Sequence, residues 1–184
     1  MREVLGDIQR WHSQGQAVAL ATVVQTWGSS PRRPGAKMAI TAAGQMTGSV
    51  SGGCVEGAVA EEAFAALASG RPKLLHYGIA DETGWEVGLA CGGNIQIFVE
   101  RRDDELAPAI DEMVMAERAG AVATVIAGPD AWLGRKMVVE KDRQLWLGGI
   151  DHAVNVQVEQ LARVALDRGE PQRVALPEQG IELF

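Results

Sequence analysis

Apolar and polar positions along this chain follow two different periods, and together they predict a succession of helices and strands. Val4, Ile8 and Trp11 lie on one face of a helix that ends near Gly15, and the next apolar run has the length of a buried strand. Further helices are predicted over residues 55–69, 104–119 and 153–168. The predicted strands occupy residues 17–25, 36–41, 45–47, 73–78, 94–100, 121–126, 134–139, 173–176 and 181–184.

The order of predicted elements repeats in the second half of the chain. Lys37-Met38 is echoed by Lys136-Met137, and Gly52-Gly53-Cys54 is echoed by Gly148-Gly149-Ile150, again before a helix. Chance similarity between short α/β segments is the alternative explanation. The repeat predicts an α/β fold, a mixed sheet with flanking helices, built from two similar α-β-β-β-α-β-β halves at about residues 1–101 and 102–184.

Composition limits the classes of function that this chain could have. Its 184 residues suffice for one domain or two small halves, and the chain contains no apolar run long enough to span a membrane. A net charge of −7 with scattered Lys and Arg argues against a nucleic-acid-binding surface. An acidic N-terminus and only two cysteines predict a cytoplasmic protein with reduced thiols, although a Cys54–Cys91 disulfide stays open.

The stretch from Gly48 to Glu56 is the first of three candidate functional segments. Gly52 and Gly53 permit positive φ angles and are expected to leave backbone N–H groups uncovered just before a helix. Cys54 lies at the start of that helix, where an anion or a thiolate is stabilised. The alternative is an ordinary tight turn with a small buried cysteine, in which Glu56 only complements the helix dipole.

The other two segments are polar loops that the second half lacks. Ser29-Ser30-Pro31-Arg32-Arg33 offers hydroxyl and guanidinium groups, and Ala90-Cys91-Gly92-Gly93 offers a second thiol. If the three segments leave the same end of the sheet, they form an anion site with two soft sulfur ligands. Such a site suits a phosphorylated ligand that carries a sulfur-binding metal. A solvated surface loop and a packed cysteine are the alternatives.

These three segments resemble the XdhC/CoxI family, which is associated with the maturation of molybdenum hydroxylases such as xanthine dehydrogenase and carbon monoxide dehydrogenase. The resemblance covers about the first hundred residues, and it assigns residues 1–184 to a single domain of the N-terminal type. It implies a chaperone without turnover of its own, which binds molybdenum cofactor (molybdopterin), assists its sulfuration and inserts it into an apo molybdenum hydroxylase. The matching motifs are Gly28-Ser29-Ser30-Pro31-Arg32-x-Pro34-Gly35-Ala36-Lys37-Met38, Gly48-Ser49-Val50-Ser51-Gly52-Gly53-Cys54-Val55-Glu56 and Gly88-Leu89-Ala90-Cys91-Gly92-Gly93.

Carried onto this sequence, the resemblance gives a set of expected site residues. Cys54 is the preferred molybdenum ligand and the one catalytic candidate, and Cys91 is the second metal ligand. Two other functions stay open, a sulfur-relay or hydrolytic enzyme that uses Cys54 and a non-catalytic assembly subunit. The residues expected to bind cofactor are Ser29, Ser30, Arg32, Arg33, Lys37, Ser51, Gly52, Gly53, Cys54, Glu56, Cys91, Gly92 and Gly93.

The resemblance also suggests which partners the chain would have. Many members of the family continue into a Rossmann-like domain, whereas this sequence stops at Phe184. A separate chain is therefore expected to supply that part, alongside the apo hydroxylase. A cysteine desulfurase and a second copy of the chain are the further partners considered.

Overall fold

A computed structural model describes residues 1–78, 93–102, 105–142 and 146–184. In this part of the chain the elements separate into two compact units, Met1–Arg102 and Asp103–Phe184. The first unit contains α1 (Arg2–Ser13), β1 (Val18–Trp27), β2 (Lys37–Thr41), β3 (Met46–Gly48), α2 (Glu56–Ser69), β4 (Lys73–Tyr77) and β5 (Asn94–Arg101). The second unit contains α3 (Ala107–Met115), β6 (Gly120–Ala127), β7 (Lys136–Glu140), β8 (Trp146–Gly148), α4 (Asn155–Arg168), β9 (Val174–Leu176) and β10 (Ile181–Leu183).

Each unit is built on one five-stranded sheet, and the two sheets have the same strand order. The first sheet runs β3-β2-β1-β5-β4 and the second runs β8-β7-β6-β10-β9. Every strand pair in the described residues is antiparallel. The predicted α/β class with two similar α-β-β-β-α-β-β halves is therefore confirmed.

The sheet of the first unit carries a helix on each face. Successive side chains of a strand point to opposite faces, so Ala19, Ala21 and Val23 of β1 pack with Val59 and other residues of α2. Val18 and Leu20 of β1 belong instead to a second cluster, whose helical members Val4, Ile8 and Trp11 come from the apolar face of α1. The predicted face of α1 is thus the one that the structure buries.

The second unit repeats the packing of one helix against its sheet. Val158 of α4 is fully buried against Val125, Met137 and Val139 from the two adjoining strands. This cluster corresponds to the contact between α2 and its sheet in the first unit. The same spacing of apolar residues therefore produces the same packing in both halves.

Helix α3 is shorter than the predicted segment 104–119. Pro108 lies in its first turn, where a missing N–H group does no harm, and the helix begins at Ala107. At the other end, Glu117 adopts a positive φ of 56°, and the N–H of Arg118 donates to the Met113 carbonyl. The chain therefore leaves the helix before Gly120, which begins the next strand instead of ending this helix.

The paired glycines of the two halves are related differently from the sequence prediction. Gly48 and Gly148 both have a φ of +77° and both end a short strand. The next residue in each unit, Ser49 or Gly149, donates its N–H to the carbonyl of the lysine across the strand pair, at 3.1 and 2.8 Å. Gly148 is therefore the counterpart of Gly48, and the predicted match between Gly148-Gly149-Ile150 and Gly52-Gly53-Cys54 is wrong.

The lysine-methionine match, in contrast, is confirmed. Lys37 pairs across the sheet with Thr22, and Lys136 pairs with Thr124 in the same register. Both lysine carbonyls accept the N–H described above, so each lysine fixes the start of the turn that leads into the following helix. This part of the repeat is therefore scaffold in both units.

Candidate functional site

The Glu56 carboxylate organises the turn between β3 and α2. Its Oε1 atom accepts hydrogen bonds from the Ser49 hydroxyl at 2.7 Å and from the N–H groups of residues 50–52 at 2.9–3.2 Å. Its Oε2 atom accepts the Gly53 N–H at 2.8 Å and the Ser51 hydroxyl. One side chain in the first turn of α2 therefore satisfies four consecutive backbone donors and two hydroxyl groups.

The two adjacent glycines have the backbone geometry that the sequence predicts, but their amides are not uncovered. Gly52 and Gly53 have φ angles of +82° and +117°. The Gly52 N–H donates to Glu56 at 3.0 Å and also lies 2.9 Å from the Ser49 hydroxyl oxygen. The anion at this turn is therefore a side chain of the protein itself, because Glu56 is close enough in sequence to fold back onto it.

Ser51 connects this carboxylate to the cysteine. Its side chain is only 1% exposed, and its hydroxyl donates to Glu56 while accepting the N–H groups of Cys54 and Val55, each at 3.0 Å. Cys54 therefore sits at the N-terminus of α2, as predicted. Its thiol is free of any disulfide, is partly exposed and packs against the core cluster of the first unit.

Hydrogen bonding shifts the acid strength of Glu56. Burial alone would raise the pKa of this carboxyl, but the hydroxyl and amide donors around it outweigh burial and hold the pKa at about 2, against an ordinary 4.5. Since the folded-state pKa is the lower one, ionised Glu56 stabilises the fold above pH 4.5. This contribution is lost as the pH falls from about 4.5 to about 2.

We expect Glu56→Gln to lower the free energy of unfolding by about 2 kcal/mol at neutral pH, a value reduced for the solvent screening of a partly exposed group. The difference from the parent protein should shrink by roughly half at pH 3, because Glu56 then begins to be protonated. Urea denaturation at the two pH values measures both quantities. Glu61→Gln, an exposed acid on the same helix, is the control, and an equal loss in both variants would contradict this account of Glu56.

The loop after β1 lies against the turn and against the start of β5. A Cβ on Gly52 would be 3.4 Å from the Pro31 ring, and a Cβ on Gly93 would overlap the Ser29 carbonyl oxygen. Strand β1 is antiparallel to both of its neighbours, so the end of β1 and the starts of β2 and β5 meet at one edge. The described parts of all three predicted segments therefore lie at the same end of the first sheet.

The cationic side chains of this region have partners within the protein. Arg32 Nη2 forms a 2.6 Å ion pair with Glu3 of α1, and Lys37 Nζ donates to the Thr22 hydroxyl at 2.7 Å. The Nε atom of Arg32 is buried and has no hydrogen-bond partner in the part of the chain that the structure describes. Arg33 is exposed.

The structure thus brings together part of the predicted site. Ser51, Gly52, Gly53, Cys54 and Glu56 form one hydrogen-bonded turn. Ser29, Ser30, Arg32 and Gly93 belong to the adjoining backbone, with the Ser30 hydroxyl donating to the Arg32 carbonyl at 3.0 Å. Cys91 and Gly92 lie outside the described residues, so their role stays a prediction.

Three contributing residues were missed by the sequence analysis. Ser49 and Thr22 hold the turn and Lys37, and Glu3 binds Arg32. The spacing of Gly53 and Glu56 is that of a capping box, in which an acid reaches back three residues, and this signal could have identified the Glu56 contacts. No local signal identifies Glu3, which reaches the loop only through the packing of α1.

Among the described residues no group of three or more His, Cys, Asp or Glu side chains is arranged to hold a metal ion. Within the same residues no helix has the length and apolar character needed to cross a membrane.

Comparison with known proteins places the match in the first unit. Residues 11–78 match the family described as the XdhC and CoxI family. The chain is 38% identical over 88 residues to the molybdenum cofactor insertion chaperone PaoD of Escherichia coli (strain K12), which covers 47% of this chain and 27% of that protein. It is 37% identical over 94 residues to a probable xanthine dehydrogenase subunit of Bacillus subtilis (strain 168), which covers 50% of this chain and 28% of that protein.

A solved structure extends the similarity in fold beyond the first unit. A crystal structure described as a xanthine dehydrogenase from Bacillus halodurans superposes with a TM-score of 0.61 at 20% identity. The superposition covers 78% of this chain and 44% of the other. At this identity the likeness concerns the fold alone. The chain spans less than a third of the length of the two curated relatives that it matches.

Proposed function

We propose that this chain, whose residues 11–78 are a segment of the XdhC and CoxI family, binds molybdenum cofactor as cargo and passes it to an apo molybdenum hydroxylase. One observation carries the proposal: the described parts of three separate segments meet at one end of the first sheet, around the partly exposed thiol of Cys54. The similarity to a protein named as a molybdenum cofactor insertion chaperone supports the same cargo.

The residues at this end fit the chemistry of the cofactor, which carries a phosphate, a flat pterin and a metal bound by a dithiolene. The Cys54 thiol is a soft donor suited to the metal. Arg32 brings a guanidinium group whose buried Nε lacks a hydrogen-bond partner among the described residues, and the exposed Arg33 follows it. These two guanidinium groups suit phosphate or pterin oxygens.

In this proposal the protein holds and orients its cargo without turning it over. Cys54 would bind the metal end while a separate sulfur donor, such as a cysteine desulfurase, sulfurates the cofactor. The apo hydroxylase would then receive the cofactor. Cys91 is proposed as a second thiol near the metal, and a separate Rossmann-domain chain and a second copy of this chain are proposed as further partners.

A sulfur-relay enzyme is the second candidate, and the free, partly exposed thiol of Cys54 favours it. Such a protein would carry a persulfide on Cys54 during its cycle. Release of intact cofactor from a chain that never acquires a persulfide would support the chaperone. A persulfide on Cys54 that transfers sulfur over repeated cycles would support the enzyme.

Anaerobic purification followed by metal and pterin analysis tests the proposed function. We expect molybdenum and pterin to copurify with the chain in equal amounts, and both to leave it when apo hydroxylase is added. Asn155→Ala, a change at the equivalent turn of the second unit, should leave both contents unchanged. A chain expressed with active cofactor synthesis that contains neither molybdenum nor pterin would contradict the proposal.

A further inference from the structure

The glycine turn before α2 has the form of an anion-binding site, yet an internal carboxylate fills it. Backbone N–H groups before a helix attract phosphate because they are unpaired and lie at the positive end of the helix dipole. Here the N–H groups of residues 50–53 all donate to Glu56. A phosphate could bind these amides only by displacing Glu56, and it would meet a negative charge in doing so.

The second unit shows what the same turn needs for folding alone. Asn155 occupies the position of Glu56, and its Oδ1 accepts the N–H groups of Ile150 and Asp151 at 2.9 and 3.2 Å. A neutral carboxamide with two backbone donors therefore suffices to form this turn before a helix. The carboxylate, the longer glycine segment and the additional bonds occur only in the unit that carries Cys54.

We infer that Glu56 is a positioning residue of this site: its carboxylate closes the amides of the turn to phosphate and reserves the turn for the metal end of the cargo at Cys54. The inference rests on the proposed function for the identity of the cargo. Phosphate is then bound outside the turn, on the side of Arg32. Ser51 completes the device, because it accepts the Cys54 N–H while donating to Glu56.

The first test locates phosphate on the full ¹⁵N-labelled chain. Inorganic phosphate is titrated while the amide resonances of Gly52 and Gly53 are followed. We expect no saturable shift of these resonances in the parent protein and a saturable shift in Glu56→Gln, which loses the charge and one acceptor. The variant is expected to fold, because Asn155 shows that a carboxamide supports the turn. A saturable shift in the parent protein, or none in the variant, would overturn the inference.

The second test uses charge, which a purely structural role would not change. Cys54 is alkylated with anionic iodoacetate and with neutral iodoacetamide, and its modification is followed by peptide mass spectrometry. Removing the negative charge in Glu56→Gln should raise the iodoacetate rate relative to the iodoacetamide rate by about threefold or more at low salt. Added salt should reduce the effect.

Glu61→Gln removes the same charge from an exposed position of α2 and is the matched control for both tests. It should behave like the parent protein. An equal change in both alkylation rates, or an equal effect of both variants, would reduce Glu56 to a structural residue and overturn the inference. Neither test contains cofactor, so the inference can fail while the metal and pterin analysis succeeds, and the reverse.

Discussion

Gly48→Ala is expected to lower the free energy of unfolding by about 3 kcal/mol. The φ of +77° at this position costs any residue with a Cβ roughly 1 kcal/mol. The added Cβ would also overlap the Lys37 carbonyl oxygen and would lie 2.6 Å from Val4 Cγ1. The carbonyl belongs to the backbone of β2 and cannot move without disturbing the strand, so overpacking adds about 2 kcal/mol.

Gly44→Ala provides a matched control for this change. Gly44 has a φ of +78°, but no described atom lies within 4 Å of its Cβ position. Its loss should be limited to the conformational cost of about 1 kcal/mol. Urea denaturation of both variants gives the comparison. Equal losses would mean that the close approach of Gly48 to β2 contributes nothing to stability.

Cys54→Ala is expected to weaken binding of molybdenum cofactor by about 100-fold or more, since loss of a metal ligand should exceed the 10- to 100-fold effects of residues that only support one. The fold should survive, because alanine keeps the small apolar contact that Cys54 makes with the core cluster. Equilibrium binding under anaerobic conditions, followed by pterin fluorescence and molybdenum content, measures the loss.

Two comparisons make the result of this substitution interpretable. The urea midpoint of Cys54→Ala should stay close to that of the parent protein, which separates lost binding from lost folding. Cys91→Ala should have the smaller effect, because Cys54 is the preferred ligand. Undiminished cofactor binding by Cys54→Ala would remove this thiol from the proposed function.

The order of helices and strands follows from the sequence because apolar periodicity is local. The repeat was recognisable for the same reason, since Lys37-Met38 and Lys136-Met137 lie on equivalent strands. The pairing of Gly148 with Gly52 failed because both belong to glycine pairs that precede a helix. Only the hydrogen bonds to the two lysine carbonyls show that Gly148 corresponds to Gly48.

The candidate site could be predicted in its residue types but not in its pairings. Cys54 lies at the start of a helix, as local sequence indicates, and the positive φ angles of the glycines follow from their lack of a side chain. Whether the amides were open depended on the rotamer of Glu56. The ion pair of Arg32 with Glu3 depends on how α1 packs, and contacts between residues so distant in sequence leave no local pattern.

The central claim, that the first unit holds the metal end of the cofactor at Cys54, is tested most directly by molybdenum X-ray absorption of the loaded full chain. The account predicts one sulfur ligand in the parent protein beyond those of the cofactor itself, lost in Cys54→Ala and retained in Asn155→Ala. Identical metal environments in the parent protein and in Cys54→Ala would contradict it.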